Sequence, residues 1–286
     1  MGRKPGIAIV GAGNLAAALG VSLRAVGYKI EAVISRSGMA SLTRARTLAK
    51  EVGAREWASP TNMHADVIWF CVPDAEIARA ARSLAGKIEW KGSVALHSSG
   101  ALTSDELALL RGRGAVAASV HPLMTFVRGS RPSLVGVPFA VEGDAAAVRV
   151  ARRIVKDLGG DVHSIRKEDK PAYHAWGTFA SPLFTALLAT TEQVALAAGV
   201  NRKSARLRMI PILRQTLANY AALGASGAFS GPIVRGDVDT VKRHLGVLRK
   251  ISPAHEVYIA LARAAVEYLP AKKKAALKRV LRSQPR

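Results

Sequence analysis

Apolar and polar positions change rhythm near Arg166. Before it, short apolar runs alternate with stretches of helical period. Gly6 to Val10, Lys29 to Ile34, Asp66 to Val72, Ser93 to Leu96, Ala115 to Val120, Phe139 to Val141 and Asp161 to Ser164 read as strands, with a short one near Arg55. Between them Asn14 to Val26, Met39 to Val52, Asp74 to Leu84 and Asp144 to Leu158 read as helices, Asp74 capping the third. Strands alternating with helices predict a mostly parallel sheet covered on both faces. After Arg166 the strand signal fades. Helical patterns run from Pro171 to about Gly199, Arg202 to Ala222, Asp237 to Lys250, Pro253 to Tyr268, and Ala271 to the end. Pro182 interrupts the first, and its missing donor and ring clash predict a kink. The pattern thus predicts an α/β domain over residues 1–166 and an all-α domain over 167–286.

Composition narrows the class. With 286 residues and 49% hydrophobic positions, the chain can bury a large core. Its longest apolar helical stretch, Ala175 to Val200, is broken by Pro182, Thr190, Thr191, Glu192 and Gln193, so it falls short of the ~18–20 apolar residues of a membrane helix. A strand follows almost at once on Met1, which speaks against a signal peptide. Together with one cysteine, Cys71, inside an apolar run, this predicts a cytoplasmic protein without disulfides or a membrane partner. The net charge of +22 points to anionic partners, small or large. The basic residues are spread along the chain, apart from a tail holding Lys272, Lys273, Lys274, Lys278, Arg279, Arg282 and Arg286. No helix-turn-helix, zinc-finger or RNA-binding signature accompanies them, so nucleic acid is disfavoured as a partner.

The sharpest chemical signal follows the first strand. In Gly11-Ala12-Gly13-Asn14-Leu15-Ala16, Gly11 allows a tight turn, Gly13 lets the backbone approach a diphosphate, and Ala16 is small enough for the helix to lie close on the sheet. The helix N-terminus then offers free N–H groups to phosphate oxygens. This is the fingerprint of a Rossmann dinucleotide-binding domain in its proper strand–turn–helix context. At the end of the second strand stand Ser35, Arg36 and Ser37, with no acid to accept from ribose hydroxyls. A guanidinium suits a 2′-phosphate, so the cofactor expected is NADP (NADPH) over NAD. The plain alternative is an ordinary surface arginine.

Ligands of open parallel sheets bind beyond the carboxyl ends of the strands. Val72-Pro73 fall there, and with His97 they are candidate cofactor contacts. Ser98 and Ser99 follow the fifth strand and His121 ends the sixth. They are candidates to orient a substrate or exchange a proton. Turn-capping serines and structurally bonded histidines are the alternatives. In the helical half, Lys170, His174, Gly177 and Ser181 share one side of a helix at about 100° per residue, although Pro171 argues against helical geometry at Lys170. Lys170 and His174 are candidate catalytic groups and Ser181 a substrate contact. A solvated lysine and a core histidine are the alternatives. The turn from Phe229 to Asp237 offers Arg235 and Asp237 as substrate contacts, with Asp237 also a good N-cap. No metal-ligand spacing and no G-x-S-x-G nucleophile motif occurs.

The segments GAGNLA at Gly11, VPD at Val72, HSSGAL at His97, SVHPL at Ser119, YHAWGTFAS at Tyr173 and GPIVRGDVDTVKRHL at Gly231 carry a resemblance over nearly the whole chain. It resembles bacterial Rossmann-like proteins whose C-terminal half is a domain of unknown function. These lie within the wider group of ketopantoate reductases, pyrroline-5-carboxylate reductases, 6-phosphogluconate dehydrogenases and coenzyme-F420-dependent NADP reductases. The resemblance implies a helical domain like that of 6-phosphogluconate dehydrogenase, a homodimer formed through it, and a cleft for nicotinamide and substrate. Many relatives carry asparagine after the F-A-S segment, where this chain has Pro182. The expected function is an NADPH-dependent oxidoreductase that passes a hydride to a carbonyl or imine of a small anionic substrate, a 2-oxo acid such as ketopantoate by analogy. A non-catalytic NADP-binding sensor or scaffold is the alternative.

Overall fold

The computed structural model describes residues 3–36, 38–57 and 65–282. It divides into two compact units, Met1–Phe179 and Ala180–Arg286. The first holds strands β1 (Ile7–Val10), β2 (Ile30–Ile34), β3 (Arg55–Trp57), β4 (Val67–Phe70), β5 (Val94–His97), β6 (Val116–Pro122), β7 (Pro138–Gly143) and β8 (Asp161–Ser164). Its helices are α1 (Asn14–Ala25), α2 (Met39–Val52), α3 (Ile77–Leu84), α4 (Ala108–Arg111), α5 (Ala145–Asp157) and α6 (Lys170–Thr178). The sequence groups α6 with the helical half, yet α6 packs in the first unit.

The strands form one sheet in the order β3-β2-β1-β4-β5-β6-β7-β8. Every neighbouring pair is parallel except β6 and β7. Alternation along each strand feeds two cores. Ile7, Ile9, Val67, Trp69 and Leu96 pack against Leu19, Leu23, Leu48, Val52, Ile154 and Val155 of α1, α2 and α5. Ala8, Val10, Ile68, Phe70 and Ala95 face Ile77, Ala81, Leu84 and Leu110 of α3 and α4. The chain order reverses between β1 and β4, and this topological switch point is where open α/β sheets place ligands.

Two local expectations are corrected. Asp74 does not cap α3: a 3₁₀ turn, Asp74–Glu76, intervenes, and Pro73 precedes it without any side-chain cap. Lys170 keeps helical angles (φ −56°, ψ −42°) despite the following proline, because the 3₁₀ turn Lys167–Asp169 runs straight into α6. Around Pro182 the backbone forms a π turn, Phe179–Leu183. Its wider ring accommodates a residue that has no N–H to donate.

The second unit holds α7 (Phe184–Ala197), α8 (Arg202–Ala228), α9 (Pro232–Arg235), α10 (Val238–Leu248), α11 (Ala254–Tyr268) and α12 (Lys274–Arg282). Its core joins Val241 and Leu245, Ile259, Ala262 and Val266, and Leu277 and Leu281, each set spaced at helical period on α10, α11 and α12. By contrast α7 buries no residue and α8 buries only Ala205, while Leu207, Ile212, Leu217 and Leu223 of α8 stand more than half exposed. No helix among the described residues is long and apolar enough to cross a membrane.

Candidate functional site

Beyond the carboxyl ends of β1, β2 and β4 lies a groove of about 1180 Å³. The chain passes from β1 into α1 through Gly11, whose φ of +110° and close approach to the Cys71 carbonyl exclude any side chain. Its N–H donates to the Ile34 carbonyl (2.8 Å), which locks the turn to β2. Gly13 precedes α1, and a Cβ built there meets nothing within 4 Å. The first intrahelical bond is Ala17 N–H to the Gly13 carbonyl, so the preceding amides of the first turn have no partner within the helix. The Asn14 amide donates to the Phe126 carbonyl (3.1 Å), tying this turn to the loop that carries Arg128.

Among the described residues five cations line the groove, Arg36, Arg44, Arg79, Lys87 and Arg128, against one acid, Glu76. Ser35 is buried, and its hydroxyl has no hydrogen-bond partner among the described residues. An open glycine, unpartnered helical amides, an unpartnered serine and an excess of guanidinium suit a ligand bearing more than one phosphate. Of the cofactor contacts expected from sequence, Gly11, Ala12, Gly13, Asn14, Ser35, Arg36, Val72 and Pro73 all line this groove. Leu15 does not; its side chain packs on the core. Ser37 lies outside the described residues. Arg44, Arg79 and Arg128 escape sequence reading because only the fold brings them to the groove, from α2, α3 and a loop.

A second cluster stands beyond β5 and β6. Alternation puts Ala117, Ser119 and His121 on one face of β6. Lys170, fully buried at the start of α6, donates to the Ser119 hydroxyl (2.8 Å) and the Ser99 carbonyl (3.1 Å). The Ser119 hydroxyl also donates to the Ser99 carbonyl (3.1 Å). No carboxylate lies within ion-pair distance of this ammonium among the described residues. Burial lowers the Lys170 pKa, while the more distant Glu142 and Asp74 oppose that shift. The imidazoles of His121 and His174 meet edge-to-face, their centroids 6.2 Å apart. Gly100 lies beneath both: a Cβ there would come 2.7 Å from His174 Cδ2 and 2.8 Å from His121 Nε2. Burial, with the charge of Lys170, lowers the His121 pKa to about 4, so the ring is neutral near pH 7. His121 Nδ1 and the Tyr173 hydroxyl are buried without partners among the described residues, the two rings 5.7 Å apart. Ser119, Gly100 and Tyr173 are the members that sequence reasoning passed over. Their signal was there, since each sits inside a segment that carries the resemblance.

The remaining candidates divide between the two units. Both ring nitrogens of fully buried His97 are engaged within the chain. Nδ1 accepts from Ser99 N–H (3.1 Å), which leaves the proton on Nε2 to donate to the Thr103 carbonyl (3.0 Å). Ser99 Oγ accepts from the amides of Ala101 (3.2 Å) and Leu102 (2.9 Å), a turn cap. These bonds fix the loop that offers Gly100 to the two histidines. Ser98 Oγ accepts from Trp69 Nε1 (2.8 Å). In the second unit, Ser181 lies in the π turn and Arg235 is exposed at the end of α9. Asp237 caps α10, its two carboxylate oxygens taking the Thr240 amide (3.1 Å) and hydroxyl (2.8 Å). No three His, Cys, Asp or Glu side chains gather as a metal site among the described residues.

Strand order, switch-point groove and glycine turn together define an open α/β domain of the Rossmann class, followed by a helical part. More particularly, residues 3–122 match the family described as Rossmann-like domain, and residues 137–265 match the domain of unknown function DUF2520. No curated protein matches the chain. Among solved structures it is similar to protein BF3122 of Bacteroides fragilis, assigned by name to the NADP oxidoreductases. That pair has a TM-score of 0.76 at 22% identity over 91% of this chain and 97% of the other. Protein TM1727 of Thermotoga maritima aligns with a TM-score of 0.70 at 23% identity, over 98% and 100%. A reductive aminase of Aspergillus terreus, solved with NADPH and ethyl-5-oxohexanoate, aligns with a TM-score of 0.64 at 16% identity, over 96% and 98%. These likenesses establish the fold.

Proposed function

We propose that this protein is an NADPH-dependent reductase that acts on a carbonyl or imine carbon of a small anionic substrate, with 2-oxo acids such as ketopantoate among the candidates. The observation that carries the reading is the cationic groove at the switch point, where Ser35 and Arg36 stand in place of an acid at the end of β2. The fold relatives named for NADP or solved with NADPH support it. When bound, NADPH supplies a hydride from its nicotinamide ring. The chain's own work is to bind and orient. The α1 amides and the space at Gly13 receive the diphosphate, and Arg36 with the Ser35 hydroxyl takes the 2′-phosphate. Lys170 presents fixed positive charge to the oxygen or nitrogen that gains electron density. His174, the more exposed imidazole over Gly100, gives the proton.

Calorimetry with NADPH and NADH tests the cofactor, and NADPH absorbance with a panel of 2-oxo acids and cyclic imines tests turnover. Arg36→Ala is expected to weaken NADPH binding by about tenfold or more, the worth of a charge-assisted pair, with NADH little changed. Equal loss for both nucleotides would remove Arg36 from the 2′-phosphate site. Tight NADPH binding without turnover of any substrate would instead make the chain an NADP sensor.

We also propose a homodimer built on α7 and α8. A helical stretch of 27 residues, kinked at Gly224, that buries only one of them gains little from its own fold, and a row of exposed leucine and isoleucine needs a partner surface. Ile212→Glu combined with Leu217→Glu is expected to halve the mass seen by light scattering. An unmodified chain already monomeric at micromolar concentration would sink this assignment.

A further inference from the structure

The acid among the groove's cations stands at a telling place. Glu76 belongs to the 3₁₀ turn after β4, and Arg36 follows the end of β2. Its Oε2 lies 3.6 Å from Arg36 Nη1 and also contacts Arg79 Nη2. One carboxylate oxygen therefore sits between two guanidiniums, in a groove that Ser35 also lines. Two cations around one anionic oxygen form surroundings a phosphate monoester would seek. Glu76 is the less exposed partner, with 27% of its side chain accessible against 65% and 62% for the two arginines.

Resting on the reading of this groove as an NADP site, we propose that Glu76 is an internal counter-ion standing where the 2′-phosphate binds, and that it restrains the selectivity of the groove for NADPH over NADH. The phosphate carries about −1.5 to −2 charges near neutral pH. To reach Arg36 it must displace a carboxylate that repels it. The unphosphorylated nucleotide meets no such competition. Its ribose hydroxyl can donate to the Glu76 carboxylate, the service that an acid at the end of β2 performs in NAD-binding domains. The groove so arranged accepts both nucleotides, with a preference for the phosphorylated one set by the difference between Arg36 attraction and Glu76 repulsion.

Glu76→Gln keeps the shape and removes the charge. Dissociation constants for NADPH and NADH are measured by calorimetry on the full chain, for the unmodified protein, for Glu76→Gln, for Arg36→Ala and for the double variant. Glu76→Gln is expected to bind NADPH about fivefold more tightly, the scale of an exposed ion pair, while NADH is unchanged or weakened. In the Arg36→Ala background the gain from Glu76→Gln is expected to shrink, because no Arg36 guanidinium remains to be freed from the carboxylate. An equal shift for both nucleotides would show that Glu76 merely shapes its turn, and weaker NADPH binding would show that it orders the arginines; either overturns the proposal and leaves the NADP site standing. An unmodified protein that binds neither nucleotide overturns the NADP reading itself, and this proposal with it.

Discussion

Lys170→Met is expected to lower NADPH oxidation by about 10²–10⁴-fold while leaving the melting temperature unchanged or raised by a few degrees. The two halves of this expectation rest on different physics. Lys170 is fully buried, yet its ammonium meets only a hydroxyl and a carbonyl. An unpaired buried charge is a burden to the fold, and an apolar side chain of similar length in its place is neutral or stabilising. Neither neighbour is orphaned by the change, since the Ser119 hydroxyl already donates to the Ser99 carbonyl at 3.1 Å. The loss of turnover follows from removing the buried cation that lies beside His121, His174 and Gly100, where a general acid or an oxyanion partner accounts for factors of this size. NADPH affinity should hold within about threefold, because the phosphate-binding groove draws its charge from Arg36, Arg44, Arg79, Lys87 and Arg128. Steady-state rates, calorimetry and thermal melting on the same preparation check all three. A large fall in melting temperature would make Lys170 a structural lysine, and near-normal turnover would remove it from the chemistry.

Lys170 also marks how far a sequence can be read. The Rossmann half was legible because short continuous apolar runs, separated by helical stretches with glycine stops, leave few other folds open. The phosphate turn was legible because its glycines have steric reasons visible in one dimension. The fate of single polar residues was not. His97 and His121 look alike in sequence, each closing a strand of the same sheet. Only three-dimensional pairing shows that His97 is engaged through both nitrogens, whereas His121 keeps one nitrogen buried and unpartnered. Lys170 sits in the charged run from Arg166, which argues for solvent, and its burial depends on a partner 51 residues away on β6. Arg44, Arg79, Arg128 and Glu76 were invisible for the same reason. They lie on two helices, a loop and a 3₁₀ turn whose approach is set by strand order, and local pattern carries no record of that order. Pro182 shows the converse: the pattern foresaw a disturbance, but whether the helix would kink or widen into a π turn depends on packing.

The glycine turn yields the second large effect, as a contrast between two residues two positions apart. Gly11→Ala is expected to destabilise the chain by about 3 kcal/mol or more. The new Cβ would lie 2.4 Å from the Cys71 carbonyl, on backbone with φ of +110°, and both the overlap and the strain act in the folded state. For a unit of this size that is a fall in melting temperature on the order of 10 °C. Gly13→Val is expected to leave melting within about 2 °C, since Gly13 has φ of −80° and ψ of −175°, which valine adopts freely, and a Cβ there has open space. Its isopropyl group would instead fill the room above the α1 amides that a diphosphate needs, and nucleotide affinity should fall by about a hundredfold or more. One glycine is thus required by the protein and its neighbour by the ligand. Thermal melting and nucleotide titration of the two variants separate these requirements. A Gly13→Val protein that still binds NADPH at full strength would mean that the diphosphate does not lie on this turn, and the functional reading of the groove would fall with it.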